Sequence, residues 1–305
     1  MQPSRDHGHF RPTSLRDRLR RDRLGRWALL ILVSAVALVI TGCTVDAVVL
    51  FDPVFAATAD ADGAITRQIA NVSPGRRVRV VSSAAPTAEE LLVAIRSGGR
   101  TDRVIVPGLL SGEVERLAPD LPGVRFFLVD HGRGSTVGGG VTPITFDRTS
   151  AFSQAGRYIA DWVDRHHAQS PGVLLLFSEE SPIRVAERDA LLEALGEPQA
   201  TVRIQGFASR PNRDRLREAV RWPEQTGPTM VGLFLAGANA TAREVVTASA
   251  IVTEGAHRVS PRVVASVSNE FADGVAAALA AGENPEGITI PARFLRFPNT
   301  EAVGP

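Results

Sequence analysis

Short β-branched and aliphatic runs alternate with longer stretches of helical spacing from residue 47 almost to the end of the chain. Apolar runs of strand length between punctuating Gly, Pro and Asp residues read as strands, and apolar residues recurring every three to four positions read as helices. The pattern predicts strands at Ala47–Phe51, Arg76–Ser82, Arg103–Val106, Val124–Asp130 and Pro143–Phe146. Helices fall between them at about 59–71 and 87–97, the second opened by the capping box Thr87-Ala-Glu-Glu90, with a shorter turn at 111–117. In the second half, strands are predicted at Gly172–Phe177, Thr201–Phe207, Met230–Leu235 and Arg262–Val267, with a last one near Ile288–Phe297. The intervening helices are Arg148–His166, Pro182–Leu195, Asn212–Arg221, Asn239–Thr253 and about 270–281, which leaves no strand between Glu254 and Arg262.

Uninterrupted apolar strands such as Val173-Leu-Leu-Leu-Phe177 imply burial on both faces, as in a parallel sheet covered by helices on each side. Strand and helix in regular alternation make this an α/β chain with two lobes of similar size. The stretch His131-Gly-Arg-Gly-Ser-Thr-Val-Gly-Gly-Gly140 separates the halves; its spacing is not that of a dinucleotide fingerprint, and it reads as a loop.

The amino-terminal region has a different pattern. An arginine-rich head, Arg16 to Arg26, precedes the apolar run Trp27 to Ile40, and small residues follow, which is the layout of an export signal. The string Ile40-Thr41-Gly42-Cys43 contains the only cysteine and resembles the lipobox of bacterial lipoproteins. That resemblance implies cleavage before Cys43, a diacylglyceryl thioether on its sulfur and an acylated new amino terminus. It places the chain on the extracytoplasmic face of a bacterial cell membrane, with only Thr44 to Asp46 as tether. The competing reading is an uncleaved signal anchor, for which the run is short and Gly42-Cys43 has no purpose.

Removing residues 1–42 also changes the charge. Eight of the 34 basic residues and three of the 33 acidic ones lie there, so 26 cations face 30 anions and the remaining chain is net −4. A nucleic-acid partner is therefore not indicated. All the cations are arginine, which excludes lysine chemistry such as Schiff bases and P-loop phosphate binding. With no nucleophile elbow, HExxH pair or phosphate loop, the expectation is a non-enzyme without cofactor or metal. His166-His167 at a helix end reads as a favourable dipole interaction rather than a metal site.

Pro122-Gly-Val-Arg-Phe-Phe-Leu-Val-Asp130, then Ile144-Thr-Phe-Asp-Arg-Thr-Ser-Ala-Phe-Ser-Gln-Ala-Gly-Arg-Tyr-Ile-Ala160, resembles the basic membrane protein (Bmp) family of lipoproteins with a type I periplasmic-binding-protein-like fold. Leu235-Ala-Gly-Ala-Asn239 and Ala265-Ser-Val-Ser-Asn269 resemble two later segments of the same family. The resemblance implies two lobes, each a parallel sheet flanked by helices, joined by a hinge and closing on a small polar ligand, typically a nucleoside, for an ABC transporter. The chain then divides into a signal peptide, 1–42; lobe 1, 43–147 plus about 283–305; and lobe 2, 148–282. It departs from the family in its first loop, Phe51-Asp52-Pro53-Val54-Phe55, and in carrying Asn269 where the family has lysine; the family's aspartate-bearing strand before the Ser-Val segment has no counterpart in the pattern. These departures leave a second reading open, a degenerate member with a structural or sensory role and no transported ligand.

Ligands of open α/β sheets bind outside the carboxyl ends of strands. Candidate ligand contacts are therefore Phe51, Asp52, Asp130, Phe146, Asp147, Glu179, Asn239 and Asn269, with Arg148 and Ser181 beside them. Aromatic faces stack rings, and carboxylates accept hydroxyl hydrogen bonds. Each has a plainer alternative: Asp52 as a turn residue before Pro53, Asp147 and Asn239 as helix caps, Phe146 as core.

Overall fold

The computed structural model describes residues 44–58, 60, 62–130, 140–221, 227–236, 238–255, 260–282 and 286–297. Cys43 and the segment 131–139, which holds most of the glycine-rich stretch, lie outside the described residues.

Two six-stranded sheets carry the architecture. In the first, β1 (Ala47–Phe51), β2 (Val78–Ser82), β3 (Arg103–Pro107), β4 (Arg125–Val129), β5 (Val141–Asp147) and β11 (Ile288–Pro291) are ordered β2-β1-β3-β4-β5-β11, all parallel. In the second, β6 (Gly172–Ser178), β7 (Thr201–Phe207), β8 (Thr229–Phe234), β9 (Ala250–Glu254), β10 (Val263–Ser268) and β12 (Arg293–Arg296) repeat that order as β7-β6-β8-β9-β10-β12, with only β12 antiparallel. The lobes are thus two copies of one topology, the two-lobe periplasmic-binding-protein-like α/β fold. Every residue of β1, β6, β9 and β10 is buried, as the unbroken apolar runs require.

The helices start where local chemistry satisfies their free amides. They are α1 (Pro53–Thr58), α2 (Ala64–Val72), α3 (Ala88–Gly98), α4 (Ser111–Leu117), α5 (Thr149–His166), α6 (Pro182–Leu195), α7 (Arg213–Ala219), α8 (Asn239–Val245) and α9 (Phe271–Ala280). Thr87 accepts from Glu90 N at 3.5 Å, Ser181 from Arg184 N at 3.4 Å and Asn212 from Arg215 N at 2.9 Å.

Apolar side chains form an outer core behind each sheet, around Leu91 and Phe126 in lobe 1 and Leu174 and Leu233 in lobe 2. Between these lies one continuous inner cluster that runs from Phe51 and Phe127 of lobe 1 to Phe152, Phe177 and Phe234 of lobe 2. Each fully buried aromatic or aliphatic side chain in it contributes roughly 1.5–3 kcal/mol to folding.

Three segments cross between lobes: β5 to α5 at Asp147–Arg148, β10 to α9 at Asn269–Glu270, and β11 to β12 at Ala292. Ala292 N donates to Asp147 O at 2.8 Å, which fastens two of the crossings together. The expected lobe boundaries differ here. Helix α9, assigned from the sequence to lobe 2, packs on α2 and the first sheet, because the chain crosses at Asn269 before it coils. The expected single strand near 288–297 is two strands in different sheets, with the chain crossing between lobes at Ala292.

The helix expected over Asn239–Thr253 ends at Val245, and Ala250–Glu254 forms β9, filling the gap between β8 and β10. The strand that the sequence pattern lacks is therefore present, and it ends in a glutamate. Alanine-rich spacing favours a helix locally, but a central sheet slot with open ladders on both sides outweighs that preference.

Candidate functional site

The carboxyl ends of both sheets face a cleft of about 690 Å³ between the lobes. Lobe 1 contributes Phe55, Val129, Asp130, Phe146 and Phe271; lobe 2 contributes Arg184, Asn239, Arg243 and Glu254; Arg148, Asn269 and Glu270 stand on the crossings themselves.

Asp130 directly follows β4 with a positive φ of 64°, the left-handed conformation that Asp tolerates better than most residues. Its Oδ1 accepts from Asn269 Nδ2 at 2.9 Å, so one hydrogen bond joins the end of β4 to a crossing. Asp130 is exposed at the cleft, yet the surrounding protein removes enough of its hydration to push its carboxyl above the usual range, against the pull of Asn269, Arg148 and Arg184.

A four-membered charge cluster lies beside it. Glu254, at the end of β9, accepts a short charged hydrogen bond from Arg148 Nη2 and another from Arg184 Nη1 at 2.7 Å. Behind it Glu187 takes Arg184 Nη1 at 3.1 Å and stands 3.7 Å from Arg148 Nε. Burial pushes the Glu254 carboxyl up, but the two guanidinium charges and their hydrogen bonds outweigh it and hold the group below the ordinary carboxylate range. The opposite holds at Glu187, where burial dominates the pull of Arg148 and Arg184 and raises the carboxyl. The Arg148 guanidinium also lies 5.1 Å from the centre of the Phe152 ring, a cation–π contact that fixes its plane. Arg243, half-buried on α8, has no acidic partner among the described residues, and desolvation lowers its guanidinium from the ordinary value.

Of the residues expected at the site, Asp130, Phe146, Asn239, Asn269 and Arg148 line the cleft. The other expected contacts are elsewhere. Phe51 is 1 % exposed and packs edge-on against Phe271 at 5.6 Å, because the last residue of a doubly covered strand points into the core. Asp52 caps α1, its Oδ1 accepting from Val54 N at 2.8 Å and Phe55 N at 3.1 Å. Asp147 Oδ1 accepts from Thr149 N at 3.2 Å at the start of α5. Glu179 pairs with Arg188 and packs over Gly206, where a Cβ would come within 2.2 Å of its carboxyl carbon. Ser181 caps α6. Glu254, Arg184, Arg243, Glu270, Phe55 and Phe271 were not legible as site residues. Of these only Glu254 had a usable signal, a lone acid closing the apolar run Ala250-Ile-Val-Thr.

Asn239 is the first residue of α8 rather than its cap. Its Oδ1 accepts from Leu235 N at 2.9 Å and its Nδ2 donates to Glu254 O at 3.4 Å, clamping the turn after β8 to the end of β9. Asn239→Ala leaves a buried amide and a buried carbonyl without those partners. The expected loss is about 1–3 kcal/mol of unfolding free energy in a urea titration.

No protein-family model matches the chain, and no curated protein matches it by sequence. Solved structures do match in fold. An ABC transporter system solute-binding protein from Aeropyrum pernix superposes with a TM-score of 0.52 at 14% identity, over 81% of this chain and 74% of that one. A periplasmic ribose ABC transporter structure from Conexibacter woesei gives a TM-score of 0.50 at 14% identity, over 86% of this chain and 94% of that one. Both are type I periplasmic-binding-protein-like chains, and the similarity at this identity is one of fold.

Proposed function

We propose that this chain is a lipid-anchored, extracytoplasmic solute-binding protein that captures a small polar ligand between its lobes for ABC-type uptake. The observation that carries the reading is the cleft itself. It lies at the carboxyl ends of two equivalent sheets joined by three crossings, where ligands bind in open α/β sheets and where hinge closure excludes water. The solute-binding protein and the ribose transporter structure of the same fold support that role. The lipobox-like Ile40-Thr41-Gly42-Cys43 supports the anchor.

A nucleoside-like ligand is the leading class, on the resemblance to the basic membrane protein family. Phe55, Phe146 and Phe271 offer ring faces and edges, while Asp130, Asn269 and Asn239 offer hydrogen-bonding groups to hydroxyls and ring nitrogens. One observation favours the alternative of a degenerate member without a transported ligand: Arg148 and Arg184 are already neutralised by Glu254 and Glu187, so two of the strongest polar groups in the cleft are committed to each other.

Thermal unfolding of the full chain in mild detergent against nucleosides, sugars and amino acids separates the two. A true ligand at 100 times its Kd is expected to stabilise the protein by about 2.7 kcal/mol. A flat response across the panel sinks the transport reading and leaves the structural one.

A further inference from the structure

We propose that the end of lobe 1 opposite the cleft is a docking face for anionic phospholipid headgroups, so that the lobe lies on the membrane through arginines as well as hanging from a lipid. The proposal goes beyond ligand capture and rests on the Cys43 anchor, not on the identity of any solute.

The chain enters the folded body between two arginine-bearing turns. Thr44 forms a parallel bridge with Arg100, and Val45 N donates to Arg100 O at 3.0 Å. On the other side Asp46 N donates to Arg77 O at 2.8 Å, Asp46 Oδ2 accepts from Arg77 N at 2.6 Å, and Arg77 Nη2 reaches Thr44 Oγ1 at 3.4 Å. Thr44 to Asp46 is therefore not slack tether. It is tied to the amino ends of β2 and β3, and Thr44 is the residue next to Cys43 in the sequence.

Around this entry point Arg76, Arg77, Arg96 and Arg100 are all exposed, and none forms an ion pair with an acid among the described residues. Of the acids at the same end, Asp46 accepts from the Arg77 amide and Asp102 pairs with Arg125 at 3.0 Å, while the exposed Asp120 and Glu286 stand before β4 and β11, farther along the sheet from β1. Two further arginines hold the end rigid. Arg103 donates to Ala278 O and Leu279 O at 2.8 and 3.0 Å, and Arg125 donates to Gly282 O at 2.8 Å, which satisfies the carbonyl end of α9.

A lipid on Cys43 brings this cationic collar to headgroup level, within about a Debye length (~8 Å at physiological salt) of the surface. Each arginine so placed strengthens adsorption to an anionic leaflet roughly fivefold. The overall net charge of −4 after residue 42 makes the local concentration of cations at this one end more telling, since the remaining surface is repelled. The orientation follows. β1 spans about 17 Å at 3.4 Å per residue. The cleft, at the far end of that strand, faces away from the bilayer, and lobe 2 is the lobe free to swing.

The test uses the full chain carrying its acylated Cys43, confirmed by intact mass, reconstituted into phosphatidylcholine vesicles or into vesicles with about 30% phosphatidylglycerol. Phenylglyoxal labelling read by mass spectrometry gives the reaction rate of each arginine. On anionic vesicles Arg76, Arg77, Arg96 and Arg100 are expected to label at least threefold more slowly than on neutral ones. Arg217 of lobe 2, 58% exposed, is expected to be unchanged, and 0.5 M NaCl should erase the difference. In R76E/R77E the protection of Arg96 and Arg100 is expected to vanish. Equal rates on the two vesicle types, or slowing of Arg217 to the same extent, overturns the proposal. An unacylated Cys43 overturns it separately, by removing the tether. Ligand binding is read by thermal shift, so failure of solute capture and failure of headgroup docking are told apart; an unacylated Cys43 removes the anchor from both readings.

Discussion

Glu254→Gln is expected to be among the most destabilising single changes at the site, at the lower end of about 3–5 kcal/mol in a urea titration at pH 7. Glu254 is 6 % exposed and is the carboxylate that Arg148 and Arg184 share. An amide in its place leaves two largely buried guanidiniums with only Glu187, at 3.7 and 3.1 Å, to answer them. The remaining acid keeps the loss from being larger. The same cluster sets a pH dependence. A carboxyl held below its ordinary 4.5 contributes stability that is complete above that value and is lost as pH falls through the depressed folded-state pKa. Glu187 and Asp130 act in the opposite sense: their raised folded-state values mean that the native protein takes up protons before the unfolded chain does, so mild acidification relieves a strain before the Glu254 contribution fails. Wild-type stability is therefore expected to hold or rise slightly as acid is first added and to fall once the pH drops below 4.5, whereas Glu254→Gln should show a shallower acid limb. A variant as stable as the parent at pH 7, with an identical acid limb, refutes the role given to the cluster.

Gly156→Val is expected to cost about 3 kcal/mol or more, read as a lowered urea midpoint. Gly156 lies on α5 where α6 crosses, and a Cβ there would stand 2.3 Å from Leu191 O, 3.0 Å from Leu195 N and 3.1 Å from Ala194 Cβ. The nearest atoms are backbone, which cannot rotate away, so the helices must part. Local propensity points the other way, since glycine costs a helix interior about 1 kcal/mol against alanine. Even Gly156→Ala is therefore expected to destabilise, by roughly 1–3 kcal/mol. Gly112→Ala on α4 is the control: it has no neighbour within 4 Å of its added carbon and should be neutral or slightly stabilising. Were both substitutions to stabilise, the close α5–α6 contact would be wrong.

These two residues also mark how far the sequence could be read. Gly156 was legible as part of a long helix, because apolar residues recur at helical spacing from Ala151 to Val163. That a second helix presses backbone against it was not, since contact between helices leaves no trace in either periodicity. Glu254 was hidden for a different reason. The run Asn239 to Thr253 is alanine-rich and reads as one helix, and only the vacancy between β8 and β10 turns its last part into a strand whose end projects a carboxylate into the cleft. Asp52, Asp147 and Glu179 show the converse error: each stands at the end of a strand, as a ligand contact must, but each is satisfied locally by a helix amide or an arginine on its own lobe.

Taken alone, the order of apolar and polar positions determined the α/β class, two lobes of similar size and most strand positions, because these follow from periodicity within a few residues, while the expectation of a lipid-bearing Cys43 came from the resemblance of Ile40-Thr41-Gly42-Cys43 to a lipobox. Tertiary structure alone decided which residues face the cleft, where the chain crosses between lobes and which charges neutralise one another. Those depend on pairings between residues about 70 to 140 positions apart, as in Arg184–Glu254, Arg148–Glu254 and Asp130–Asn269, and no local pattern encodes a partner at that distance.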